Sequence, residues 1–269
     1  MDEKQPHCRY LMPGLERGLQ LLLAFGEQQR EMTFAELHQL VAMPKSTAWR
    51  VVQTLEHMGF IERNARSKTF SPGMMVLRLG FEFIASLDVA QAGQPVIEKL
   101  RDDSLCSSHL AIRDGSELIY IARVSAANAR INQVSIGTRL PLHCTSLGRM
   151  LLTGLGRDEF EQLFPRPQLP GSGRGAVRDR EALWHLVQED KTRGYVIGES
   201  FFRRGISSIV YPVFNRRGHV VAVISIMVPV DEIPPADRPR FPQLVAAAAE
   251  KMSGYLGQRR GKKHEPVWN

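Results

Sequence analysis

Apolar residues recur at near-helical spacing from the start of the chain. Leu15, Leu19, Leu22, Leu23 and Phe25 predict an amphipathic helix over 14–27, which the polar stretch Gln28-Gln29-Arg30-Glu31 ends. Thr33-Phe34-Ala35-Glu36 has capping-box spacing: the Thr hydroxyl takes an orphan backbone N–H and the Glu reaches back. Phe34, Leu37, Leu40 and Val41 give this second helix its buried stripe. Ala42-Met43-Pro44 stops it, because proline disfavours helix in the residue before it yet suits the first turn of the next. A third helix is predicted over 44–58, with Val51, Val52 and Leu55 inward and Gly59 where a left-handed C-cap belongs. Two short strands, 60–63 and 68–71, flank the polar turn Asn64-Ala65-Arg66-Ser67, and Pro72-Gly73 closes the hairpin. Helix, capped helix, tight turn, helix and hairpin make a winged helix-turn-helix.

The pattern then changes. Val76, Leu79, Phe83 and Leu87 form a helical stripe suited to a linker and dimer contact, and a further helix follows over 89–103, where Pro95 marks a restart or a kink. Strands at 110–112 and 118–121 flank Arg113-Asp114-Gly115-Ser116 as a hairpin. More strands are expected at 131–136, 206–214 and 220–228, the last two joined by the turn Asn215-Arg216-Arg217-Gly218. Helices are expected at 145–154, 158–164, 179–193 and 241–256, with a Pro- and Gly-rich loop over 165–175. The fold class is therefore an all-α winged helix-turn-helix domain followed by an α/β (α+β) domain with a mainly antiparallel sheet. The boundaries read as 1–73 for the N-terminal domain, 74–88 for a linker helix, 89–258 for the second domain and 259–269 for a basic tail.

Composition narrows the function class. Two domains' worth of chain, 269 residues with 43% hydrophobic and 23% charged, describes neither a disordered nor a membrane protein. No apolar run approaches the roughly 20 residues of a spanning helix, and the N-terminus lacks a signal-peptide pattern, so a cytoplasmic protein is expected. Cys8, Cys106 and Cys144 are odd in number and widely spaced, which reads as reduced thiols rather than a disulfide framework or thiolate zinc site. Net charge is +7, but placement matters more: Lys45, Arg50, Arg63, Arg66 and Lys68 crowd one segment opposed only by Glu56 and Glu62. The cluster Arg259, Arg260, Lys262 and Lys263 reads as a solvated end. Neither a G-x-S-x-G elbow, an H-E-x-x-H pair nor a phosphate-loop motif is present, and the histidines do not group at ligand spacing. Gly171-Ser172-Gly173-Arg174-Gly175 lies in a Pro-rich connection and is read as a loop. No catalytic residue, metal or cofactor is expected.

In order and spacing, Pro44-Lys45-Ser46-Thr47-Ala48-Trp49-Arg50, Gly137-Thr138-Arg139-Leu140-Pro141-Leu142-His143, the region from Gly194-Tyr195 through Gly205 to Pro212-Val213, and the 218–225 stretch resemble the IclR (isocitrate lyase regulator) family of bacterial transcription regulators. The likeness runs from about Gly14 to Leu256. It implies a GAF-like effector domain, a homodimer or dimer of dimers, and control by a small metabolite.

Two sites follow. A recognition helix places its N-terminal side chains at base edges with phosphates gripped nearby. Lys45, Ser46, Thr47, Trp49 and Arg50 occupy its first two turns, with Thr33 at the preceding helix start and Arg63, Arg66 and Lys68 on the wing. Lys and Arg suit phosphates or guanine, and Trp49 suits sugar or a thymine methyl unless it is core. Double-stranded DNA, as a near-palindromic operator, is the expected partner. The second site is carried over from the family: Ser146, Leu147, Ser208, Ser225 and Met227 match positions lining its effector cavity, and Glu199 lies close by in the matched region. Period-2 alternation puts Ser225 and Met227 on one strand face. Backbone N–H groups where a helix opens at Thr145-Ser146 suit a carboxylate, so the expected effector is a small organic acid. An enzyme of unrecognised chemistry in the C-terminal domain, and a winged helix used for protein contact, are the competing readings. Salt-dependent operator binding separates both from a regulator.

Overall fold

The computed structural model describes residues 11–26, 30–127, 134–170, 177–199, 205–229 and 238–257. The chain divides into two compact units, 1–86 and 87–269.

The first unit carries α1 (Pro13–Leu23), β1 (Met32–Thr33), α2 (Phe34–Gln39), α3 (Lys45–His57), β2 (Ile61–Arg63), β3 (Thr69–Pro72) and α4 (Met74–Ser86). Thr33 and Glu36 close the expected capping box, with Thr33 N donating to Glu36 at 2.7 Å and Glu36 N to Thr33 Oγ1 at 3.4 Å. Gly59 adopts φ +75° just past α3, the left-handed conformation that spares a Cβ clash. The hairpin gains a third strand that local pattern misses: β1 pairs antiparallel with β3, Met32 opposite Phe70. Leu21, Met32, Leu37, Val41, Ala48, Val52, Ile61 and Phe70 form one core.

Two stripes differ from expectation. On α1, Gly18 and Leu21 are buried while Leu15, Leu19 and Leu23 are exposed. Leucine surrounds this helix, and the side that docks is the one carrying Gly18 and Leu21, with Gly18 opposite Val51 on α3. On α2, Leu40 is exposed and Phe34 half-buried, because Phe34 turns to meet Trp49 instead. The α4 stripe stops short of Leu87, which is the N-cap of the next helix.

The second unit carries α5 (Asp88–Ser104), β4 (Ser107–Asp114), β5 (Glu117–Val124), β6 (Arg139–Pro141), a 3-10 turn (Leu142–Cys144), α6 (Ser146–Leu152), α7 (Arg157–Leu163), α8 (Arg180–Arg193), β7 (Val196–Glu199), β8 (Ile206–Phe214), β9 (Val220–Pro229) and α9 (Arg240–Tyr255). The sheet runs β6-β5-β4-β9-β8-β7, every pair antiparallel. Helices α5 and α9 pack on one face and α6 on the other, where α8 packs against α6. Pro95 does not restart the helix; it sits on the exposed side of one continuous α5. The strand expected at 131–136 falls partly outside the described residues, and its described end, 134–136, is coil and turn. The 171–175 loop, Cys8 and the basic tail also lie outside them, whereas β6 and β7 were not anticipated. Burial pushes the Cys106 thiol up to about 11, so it is a neutral core group. No helix among the described residues is long and apolar enough to cross a membrane.

Candidate functional site

Helix α3 presents two chemically opposite sides. Ala48 and Val52 go to the core, and Lys45, Ser46, Thr47, Trp49, Arg50 and Gln53 are exposed. Lys45 and Arg50 form no ion pair with a described residue, so both cations stay available. Gln53 was missed by motif reading, although it lies one heptad beyond Ser46 on the same side. Trp49 is only partly exposed at 37%. Its ring meets Phe34 edge-on at 4.9 Å and Phe70 at 6.5 Å, and the Arg63 guanidinium lies 5.8 Å from it. Trp49 therefore ties the helix to the wing and keeps only part of its ring for a ligand, while Arg63 is drawn onto the aromatic pair. Asn64 Oδ1 accepts from the Arg66 and Ser67 N–H groups and so shapes the wing tip, where Lys68 takes φ +57°. Arg66 and Lys68 are exposed there. Thr33 is exposed, but its hydroxyl is engaged by the capping box.

The second site lies on the α6 face of the larger sheet. Strand register aligns Gly198, Ser208, Met227 and Ser107 in one transverse row. Two residues along, Val196, Val210, Ser225, His109 and Arg123 form the next. Alternation sends both rows to the face that Leu147, Met150 and Leu151 of α6 cover. Ser208 and Leu147 are buried, and Ser146 and Met227 half-buried. Glu199 stands opposite Ser207, so Gly198 rather than Glu199 shares the row of Ser208; the Glu199 side chain lies outside the described residues. Ser146 Oγ would be 2.6 Å from a Cβ placed on Gly198, which brings the start of α6 directly over β7. There Thr145 Oγ1 accepts from Gly148 N at 2.9 Å, using one of the donors expected for a ligand.

Sequence reading started β4 at Leu110 and so left His109 out. His109 is 2% exposed, Ser225 1%, and neither His109 Nδ1 nor Ser225 Oγ has a hydrogen-bond partner among the described residues. Burial first, then the Arg123 charge, pushes the imidazole down to about 3, so it is neutral at physiological pH. A groove of about 900 Å³ opens elsewhere on this unit, between the start of α5 and the β8–β9 turn, at the far end of β9 from Met227. Its Arg216, Arg217, His219 and Tyr255 are exposed, so it lacks the buried, unpartnered polar groups that mark the serine face.

Comparison with known proteins bears on both units. Residues 14–65 match the IclR helix-turn-helix domain, and residues 81–254 match the bacterial transcriptional regulator IclR C-terminal domain. The HTH-type transcriptional regulator XynR of Escherichia coli is 28% identical over 92% of this chain and 98% of its own. The Pca regulon regulatory protein of Pseudomonas putida is 27% identical over 91% and 84%. Among solved structures, an IclR homolog from Microbacterium hydrocarbonoxydans complexed with 4-hydroxybenzoate superposes with TM-score 0.78 and 26% identity, over 90% of this chain and 98% of that one.

Proposed function

This chain belongs to the IclR family of bacterial transcriptional regulators, and we propose that it reads an operator with α3 and the wing and releases or retightens it on binding a small organic acid. DNA binding and regulation come with the family. The residue assignments rest on one observation above all: α3 turns Lys45, Ser46, Thr47, Arg50 and Gln53 outward while its other side is committed to the core. Gln and Arg are the side chains that pair bidentately with adenine and guanine, and Lys45 at the helix start suits a phosphate. The 4-hydroxybenzoate complexed with the Microbacterium relative supports the organic-acid class, and the mixture of hydroxyls and apolar walls on the α6 face supports that face as the place for it. Duplexes selected from a random pool should bind the full chain, and a panel of carboxylic acids should contain one that shifts that affinity about 5- to 150-fold. Affinity indifferent to every acid while sugars or nucleotides change it would overturn the effector class.

One helix-turn-helix reads too few bases for useful specificity, so the working form is a two-fold dimer on a near-palindromic site. Leu15, Leu19 and Leu23 on α1, with Val76 and Leu79 on α4, supply exposed apolar surface that a second copy would cover. The double variant Leu19→Glu/Leu79→Glu is expected to sediment as a monomer and to lose operator binding while its α-helical circular dichroism persists. A variant that stays dimeric with full affinity would place the contact elsewhere.

A further inference from the structure

We infer that Arg123, His109 and Ser225, neighbours on β5, β4 and β9, form the subsite that takes the effector's carboxylate. This rests on the organic-acid reading above and goes further by placing the charge at the sheet rather than at the start of α6. The three stand in one register row, His109 opposite Arg123 on one side and Ser225 on the other. Adjacent strands are about 4.8 Å apart, so the row spans roughly 10 Å, enough for one carboxylate to reach all three side chains. His109 Nδ1 and Ser225 Oγ are among the polar atoms that folding buries without a hydrogen-bond partner among the described residues, a condition protein interiors rarely tolerate without a ligand or a role. A neutral imidazole can donate one N–H and the serine its O–H, and a carboxylate accepts both.

Those two donors do not by themselves offset the charge of a buried anion, and Arg123 supplies the missing cation. Its guanidinium is fixed in place: Nε and Nη2 donate to Ser125 Oγ at 3.2 and 2.6 Å, and Nη1 donates to the Val134 carbonyl. These bonds take three of the five N–H donors and leave the charge uncompensated by any carboxylate among the described residues. The start of α6 is the weaker anchor. Helix α6 has seven residues, and Thr145 already takes one of its free N–H groups. Ser146, Ser208 and Met227 then surround the body of the ligand one row away, about 6.6 Å along the strands.

The test uses the full-length chain and matched carboxylate and carboxamide pairs, from short aliphatic acids to benzoate with benzamide, titrated calorimetrically at neutral pH. The wild type is expected to prefer a carboxylate over its amide by about 10- to 100-fold. Arg123→Met should erase that preference and Arg123→Lys retain most of it. His109→Leu and Ser225→Ala should each weaken the carboxylate about tenfold while leaving the ligand-free melting temperature unchanged or raised, because each removes an unpartnered buried group. If His109 and Ser225 serve only each other through a rotated side chain, His109→Leu lowers the melting temperature and leaves ligand affinity alone, and the inference fails. It fails alone if the carboxylate preference survives Arg123→Met, His109→Leu and Ser225→Ala. If wild type binds acids no better than amides, the organic-acid reading falls with it.

Discussion

Gly148→Ala is expected to destabilise the C-terminal unit by about 3 kcal/mol or more, the upper range for overpacking, because nothing near that position can rotate away. A Cβ there would stand 2.1 Å from the Leu142 carbonyl oxygen and 2.4 Å from its Cα, both backbone atoms. Either α6 lifts or the Leu142–Cys144 turn moves. Lifting α6 disturbs the Thr145 cap and the contact of Arg149 with the buried Asp190 on α8, 3.0 Å apart, which anchors α6 from its other side. It also carries Ser146 and Leu147 away from the serine rows, so the ligand response should be lost with the stability. Gly93→Ala is the control. Its Cβ would meet Leu110 Cδ2 at 2.5 Å and Met252 Cε at 3.0 Å, but these are ends of flexible side chains. Higher helix propensity, about 1 kcal/mol, offsets much of the repacking there. Urea unfolding of both variants decides the matter, and equal costs would refute the reading of α6 as pinned by backbone contact.

Arg50→Ala should weaken operator binding about 10- to 100-fold if Arg50 reads a base, and Lys45→Ala should lower the slope of log affinity against log salt by about 0.9 if Lys45 holds one phosphate. Neither residue belongs to the core of the first unit, so both variants should unfold as the wild type does. Arg139→Ala is the matched control, since Arg139 is held at 2.6 Å by Asp114 and 2.7 Å by Glu117 in the other unit. Its removal should leave the salt slope unchanged. Trp49→Ala is a poor probe of contact, because losing the Phe34 and Phe70 partners disturbs helix and wing together. Gel shifts insensitive to Arg50→Ala and Lys45→Ala alike would move the DNA interface off α3.

Much of the first unit was legible in the sequence because its signals are local. The Thr33–Glu36 cap, Pro44 at the start of α3 and Gly59 at its end act over three or four residues. The β8–β9 turn is equally local: Asn215 Oδ1 accepts from the Arg217 and His219 N–H groups, and Gly218 takes φ +76°. Asp179 and Gly194 bracket α8 for the same reason. The strands β1, β6 and β7 escaped notice because each is only two to four residues long, too short for alternation to show. The 131–136 segment shows the converse, where apolar alternation implied a strand and Val134 instead joins the core from coil.

Local chemistry alone thus determined the helix-turn-helix and its basic outward residues, whereas the serines of the sheet were singled out by the likeness to the IclR family. Alternation was enough to place Ser225 and Met227 on one face. Which side of leucine-rich α1 turns inward was decided in three dimensions, by its packing against α3, where Gly18 and Leu21 face the core. The row that joins Ser225 to His109 and Arg123 was decided there too. His109 and Arg123 face each other across one hairpin, but Ser225 lies far from both in the chain. Strand order and register, fixed by burying two sheet faces at once, bring it beside them. A pattern read along one strand carries no information about its neighbours across the sheet.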